Sequence, residues 1–314
     1  MGILLAIQGA VSQGILWGIM ALGVYLTYRI LDVADLTVDG SFALGGCTCA
    51  ALITAGMNPY LAVLISVLAG MAAGYVTGIL HTKCEIPAIL AGILTQIGLY
   101  SINLRIMGRS NTPLLKVPTI FKGLTDLTGI SQNWISMIVG AVFTVILVMF
   151  LYWFFGTEIG SAIRATGNNE NMVRSLGMNT KTHKVMGLAI SNGLVALSGA
   201  LVTQSQGYAD VKQGTGAIVI GLASIIIGEV LFGKKKSFGT KLISVIVGSI
   251  IYRIIVAVVL QMGLNTDDLK LLTAILVAAA LTVPVLLDKR RQAASYDPMT
   301  DHAAADKENG KGGK

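Results

Sequence analysis

Few residues in this chain could do chemistry, and most of those stand alone. His81, His183 and His302 are scattered, and no HExxH or nucleophile–base spacing joins them to a partner. Cys47 and Cys49 form a CxC without a second thiolate pair, too few ligands for a structural zinc ion. With Cys84 they lie in or beside apolar stretches, where a thiol serves as a small buried hydrophobe. The nearest thing to a phosphate loop runs from Gly228 to Gly233 and Lys234, but Lys235 stands where a Ser or Thr must hold magnesium. No catalytic residue, metal site or cofactor is therefore expected.

What remains is charge and polarity in apolar surroundings. Asp35, Thr37, Asp39 and Ser41 fall where a helix should be entering a bilayer, and backbone this polar is tolerated at that depth only under cover of protein or a water-filled cavity. Either "DLTVDGS" is a loop in which Asp39 or Ser41 caps the next helix, or it is a broken helix lining a solute path. Glu229 and Arg253 also interrupt apolar runs. Arg253 lies about 14 residues (~21 Å) into its run and Glu229 about four from the end of its own, so no salt bridge between them is expected. Each must face a cavity, an interface or another partner. Arg253 either attracts a substrate carboxylate or has a structural, snorkelling role. Gln204, Gln206, Tyr208 and Asp210 form either a pathway mouth or an ordinary polar loop.

The elements that must position these residues follow from composition. The chain is 54% apolar and only 12% charged, with mean hydropathy +0.74, against roughly 25% charged in soluble domains. Residues 288–314 hold 11 of the 39 charged side chains, so the body before them is poorer still. A soluble fold, a disordered chain and a disulfide-stapled domain are all excluded, and the net charge of +7 is read as membrane topology rather than nucleic-acid binding. A bilayer core about 30 Å thick needs roughly 20 apolar residues. Nine runs qualify: 11–30, 38–56, 60–80, 86–104, 133–155, 184–206, 215–233, 239–262 and 269–287. The expected fold is all-α, a polytopic transmembrane bundle of about nine spans including one broken helix, over residues 1–287, with a disordered cytoplasmic tail at 288–314. No cleaved signal peptide is expected.

With that tail inside, cytoplasmic connections carry thirteen Lys and Arg and outer ones six, which puts the amino terminus outside. Four of those six fall in residues 105–132, which form either a folded external loop or a miscounted span. Gly70, Gly74 and Gly78, and Gly14 with Gly18, make GxxxG steps for close helix packing.

One connection, Gly156 to Lys184, is long enough to fold by itself. Asn168 is a candidate N-cap, Glu170 stands in the first turn, and Gly177 is placed to end a short helix over Asn169–Leu176. Met172, Val173 and Leu176 fall on one side, with Glu170, Arg174 and Ser175 mostly on the other. Eight residues are too few for a helix that is stable alone in water, so it must lie against something.

The run from Gly160 to Glu170 (GSAIRATGNNE), followed by Leu176, Gly177 and Met178 and later by Ser198–Leu201, resembles the cytoplasmic coupling segment of ABC importer permeases of the branched-chain amino acid and ribose type. "RILDVADLTVDGSFALGG" from Arg29, "IPAILAGILTQIGLYSINLRIMGRSN" from Ile86 and "IVIGLASIIIGEVLFG" from Ile218 are similar to its tryptophan/tyrosine subgroup. The resemblance implies a bacterial plasma-membrane subunit that forms half of a pathway, pairs with a second copy of itself, docks a cytoplasmic ATPase and receives solute from an extracytoplasmic binding protein. Mapped onto this sequence, the ATPase would meet Asn168, Asn169, Glu170, Asn171, Met172, Arg174, Ser175, Leu176 and Gly177. The subgroup points to an aromatic amino acid as the solute, with another amino acid or a small polar or nucleoside-like solute as the alternatives. The rival reading is a stand-alone secondary transporter or channel; it favours inverted repeats with paired broken helices, whereas only one break is visible, and it leaves Gly156–Lys184 without a purpose.

Overall fold

The computed structural model describes residues 2–115, 117–233 and 237–262, with 268, 271, 273–275, 277–279 and 282 beyond them. Most of the ninth expected span, the lysines at 234–236 and the tail from 288 lie outside the described residues.

Apolar runs become helices because hydrocarbon leaves backbone groups no partner but each other. Helix α1 (Gly2–Tyr25) runs into one π-helical turn, Leu26–Ile30, and residues 31–36 are not helical. Then come α2 (Thr37–Thr54), α3 (Pro59–Thr82) and α4 (Ala88–Met107). Strand β1 (Asn111–Pro113) and helix α5 (Ile120–Thr128) follow, before α6 (Gln132–Phe154). The segment 105–132 is thus folded. Two short helices, α7 (Glu158–Asn168) and α8 (Glu170–Ser175), precede α9 (Thr180–Gln206). Strand β2 (Tyr208–Asp210) pairs antiparallel with β1, Thr112 opposite Ala209, and α10 (Ala217–Phe232) and α11 (Phe238–Gln261) complete the described elements.

Seven of these helices are long and apolar enough to cross a membrane. They match the first six expected spans and the eighth; the seventh, α10, has 16 residues and so is about 24 Å long, short of the ~30 Å core. The second span is not broken: residues 31–36 form a non-helical connection after the π-helical turn, and α2 then runs unbroken from Thr37 to Thr54, so the loop reading holds and the broken-helix expectation is corrected.

Helix α9 is the centre of the bundle. Its 27 residues (about 40 Å) pack against α1, α2 and α3, and its stretch from Ser191 to Gln204 is buried throughout. The approach of α3 is set by the predicted glycines: a Cβ on Gly70 would run into the Asn192 carbonyl and Ala196, one on Gly74 into the Leu188 carbonyl, and one on Gly78 into Val185. Gly14 and Gly18 seat α1 on Ile250 and Ile246 of α11 in the same way. Cys47 and Cys49 are buried as expected, but Cys84 is exposed, because residues 83–87 form the turn between α3 and α4. Outward faces of α3, α4 and α6 stay apolar, through Leu64, Leu94 and Val145 among others.

The sheet face is built by polar side chains. Gln204 donates to Cys49 Sγ at 3.2 Å and accepts from Ile120 N at 2.9 Å, and Gln213 donates to Gln206 at 3.0 Å. Asp210 accepts from Asn111 at 3.3 Å and from Lys212 N at 2.7 Å. The Gln204–Asp210 cluster is therefore bonded architecture that fastens β2 and α5.

Candidate functional site

At the end of the bundle opposite the sheet, α7 and α8 form a small shelf. Thr157 caps α7 by accepting from Gly160 N at 3.3 Å, and Gly167 lets α7 close on the Ile30 carbonyl. The α8 cap is Asn169, which accepts from Met172 N at 3.0 Å; Asn168 instead ends α7. The predicted cap is thus one residue early, since only Asn169 has the extended backbone a cap needs (φ −155°, ψ 94°). Gly177 ends the shelf at φ +79°, as its position predicts.

The apolar side of α8 divides. Val173 is 1% exposed and anchors the helix, whereas Met172 (47%), Leu176 (69%) and Met178 (40%) stand out from the shelf. The side predicted to hold Met172, Val173 and Leu176 is thus split, because a helix of six residues is too short to bury all three. Asn168, Asn169, Asn171, Arg174, Ser175 and Gly177 are exposed around them.

Glu170 fixes this shelf to the central helix. Its carboxylate accepts from Lys184 Nζ at 2.6 Å and Thr180 Oγ1 at 3.0 Å, both on α9, and from Arg174 at 3.1 Å. The hydrogen bond from Lys184 holds the carboxyl below the ordinary glutamate range, assisted by Thr180 and by the charges of Lys184 and Arg174. Arg174, 62% exposed in a single i,i+4 pair, adds only about 0.3–0.5 kcal/mol.

Within the bundle, the connection into α2 and the first turn of that helix place two carboxylates. Asp35 is buried, accepts from Thr37 N at 2.9 Å just ahead of α2, and accepts from Asn192 of α9 at 2.7 Å. Thr37 shares a hydrogen bond with Thr77 at 2.8 Å, and Thr77 donates to Thr95 at 2.9 Å. Ser41 is fully buried. These three are packed between helices. Asp39 does something else: it accepts from Gly216 N at 2.8 Å and Ile218 N at 2.9 Å, capping the short helix α10 from across the bundle. Of the four, it alone lines a described cavity, about 210 Å³, with Gln96, Tyr100, Asn103 and Thr215.

Glu229 pairs with Arg29 at the shelf end, beside a second cavity of about 330 Å³ that also reaches Tyr25 and Lys241. Arg253 has no such partner among the described residues. Its guanidinium lies over the Trp17 ring, 4.0 Å from the centroid, with Nε and Nη2 buried and unbonded. A desolvated cation–π contact offers about 2 kcal/mol, while an arginine in a span costs about 2.5–3.5 kcal/mol or more, so the stack alone does not offset burial.

A family described as branched-chain amino acid transport system, permease component, matches residues 6–283. The chain belongs to that permease family. The tyrosine transport system permease protein of Clostridioides difficile (strain R20291) is 45% identical over 275 residues, 88% of this chain and 90% of that one. An autoinducer 2 import system permease protein of Yersinia pseudotuberculosis is 29% identical over 185 residues, 58% of this chain and 50% of its own. A chain of PsaBC from Streptococcus pneumoniae in complex with Fab overlays with TM-score 0.49 at 16% identity, covering 87% of this chain and 90% of that one.

The permease is thus a multi-pass membrane subunit of the ABC transport type. Sequence reasoning missed three of its contacts. Arg29 and Glu229 are 200 residues apart, Asp39 and Gly216 are 177 apart, and Lys184 meets Glu170 only because the Gly177 turn folds α8 back on α9. The third had a signal, since Lys184 and Glu170 flank that one turn; the first two had none.

Proposed function

We propose that the permease forms the pathway of an ATP-driven importer for a small amino acid, with an aromatic one the first to test. A second copy of the chain completes the pathway, and an extracytoplasmic binding protein delivers the solute. The shelf of α7 and α8 faces the cytoplasm, in keeping with the bias of Lys and Arg towards that side. A cytoplasmic ATPase docks there.

The observation that carries this reading is the α8 knob. Met172, Leu176 and Met178 present sulfur and aliphatic carbon to the exterior on an element whose base, through Glu170 and Lys184, is tied to the central helix. Exposed apolar side chains on a rigid mount suit a partner's groove, and movement of the knob is passed to α9, which packs against α1, α2 and α3. The 45% identical tyrosine transport permease supports the choice of solute. Asp39 and Arg253 are the candidate pathway residues, each beside a cavity.

The test is reconstitution in proteoliposomes with the ATPase and the binding protein. ATP-dependent accumulation of labelled tyrosine is the expected result. Accumulation driven by an ion gradient without ATP would overturn the reading.

A further inference from the structure

Arg253 lies eight residues before Gln261, the last residue of α11, and fifteen after Phe238, the first, so it is about 12 Å from one end and about 22 Å from the other. That depth puts lipid phosphate out of the reach of a guanidinium, and no carboxylate among the described residues pairs with it. Its Nε and Nη2 are buried donors without acceptors. Trp17, which supports it, is itself packed on Phe42 at 4.6 Å, and the indole Nε1 is another buried donor without an acceptor. Among the described residues no atom meets these donors, and buried donors call for an acceptor.

Arg253 also lines a cavity of about 370 Å³ between α10 and α11, walled by Val219, Ile220 and Val256 and closed at one side by Thr215 and Gly216. The chamber is mostly apolar, with Thr215, Tyr252 and Thr273 as the polar lining residues besides Arg253. Water alone would satisfy the donors but gives no reason for hydrocarbon walls. We propose that this cavity binds an amphipathic organic acid, its carboxylate on Arg253 and its apolar body along Val219, Ile220 and Val256. The site deepens the importer reading and rests on it for its purpose: it names the part of the solute that this half of the pathway holds. Trp17 stacks on the guanidinium and holds it at the cavity wall.

The experiment uses the full permease in nanodiscs of phosphatidylcholine, where no anionic lipid is present. Trp134 and Trp153, both exposed, are changed to Phe, leaving Trp17 as the single indole of the three. Its fluorescence is followed, with indole-selective excitation, against tyrosine, 3-(4-hydroxyphenyl)propionate and tyramine. The two carboxylates are expected to give saturable changes and tyramine none. Arg253→Gln should weaken the response at least about tenfold, and Arg253→Lys should retain part of it, with size-exclusion profile and thermal unfolding confirming that both variants fold. An equal response to tyramine, no saturable response to either acid, or an undiminished response in Arg253→Gln would each overturn the site. Failure of the importer reading is separate: it appears as absent ATP-driven uptake by the unaltered protein, whatever Trp17 reports.

Discussion

The Glu170 carboxylate and the Lys184 ammonium meet at 2.6 Å across the turn from α8 to α9. This contact joins the exposed shelf to the buried axis, and Lys184 is the better covered partner, at 17% exposed against 32% for Glu170. A charge-assisted hydrogen bond is stronger than a neutral one. Glu170→Gln keeps the shape and loses the charge. It is expected to lower ATP-driven uptake about tenfold, the loss of roughly 1.4 kcal/mol, with Arg174→Gln causing much less. Uptake assays on the two variants, at equal membrane content, check the ranking.

The same pair sets a pH dependence. Because the folded state holds the Glu170 carboxyl below its ordinary value of 4.5, the contact is fully formed above about that pH and is lost as pH falls through the lowered value. Hydrogen exchange of the α8 amides, corrected for intrinsic rates, should be unchanged between pH 7 and 5. It should rise only in stronger acid, and Glu170→Gln should remove that acid step.

Asp39→Ala should destabilise the bundle by about 1–3 kcal/mol, since it strips both acceptors from the start of α10 inside the membrane domain. Asp39→Asn leaves one acceptor and should cost less. Thermal unfolding in detergent at one fixed scan rate ranks them. Equal melting of all three proteins would mean that Asp39 is no cap.

Asp39 also shows what a sequence conceals. That the entry to the second span needs cover was legible, because two aspartates, a Thr and a Ser within seven residues cannot sit in lipid unprotected. The target of Asp39 was not, because a cap reads a helix start in three dimensions and Gly216 is far away along the chain. The α8 turn was visible from Glu170 and Gly177, while the choice between Asn168 and Asn169 depended on backbone angles that two adjacent asparagines do not disclose. Arg253 could be seen as exceptional; that Trp17 supports it required the crossing of α1 and α11, fixed by Gly14 and Gly18.

Those close crossings give a further contrast. Gly74→Ala should cost about 1–3 kcal/mol, because the methyl group meets the Leu188 carbonyl on α9, a backbone atom that cannot turn aside. Gly98→Ala, with nothing within 4 Å of the new Cβ, should be neutral or slightly stabilising in its helix. Yield of folded protein and melting temperature read the difference.

The central claim is that α8 passes the work of an ATPase to the bundle, and Met172→Asp with Leu176→Asp tests it most directly. Both side chains are exposed, so the changes spare the core. In proteoliposomes containing the ATPase and the binding protein, ATP-driven solute uptake and ATPase co-purification are measured together for the double variant and the unaltered permease. The account predicts that both fall to background while the variant keeps its melting temperature. Unchanged ATP-driven uptake with the ATPase still bound would contradict it.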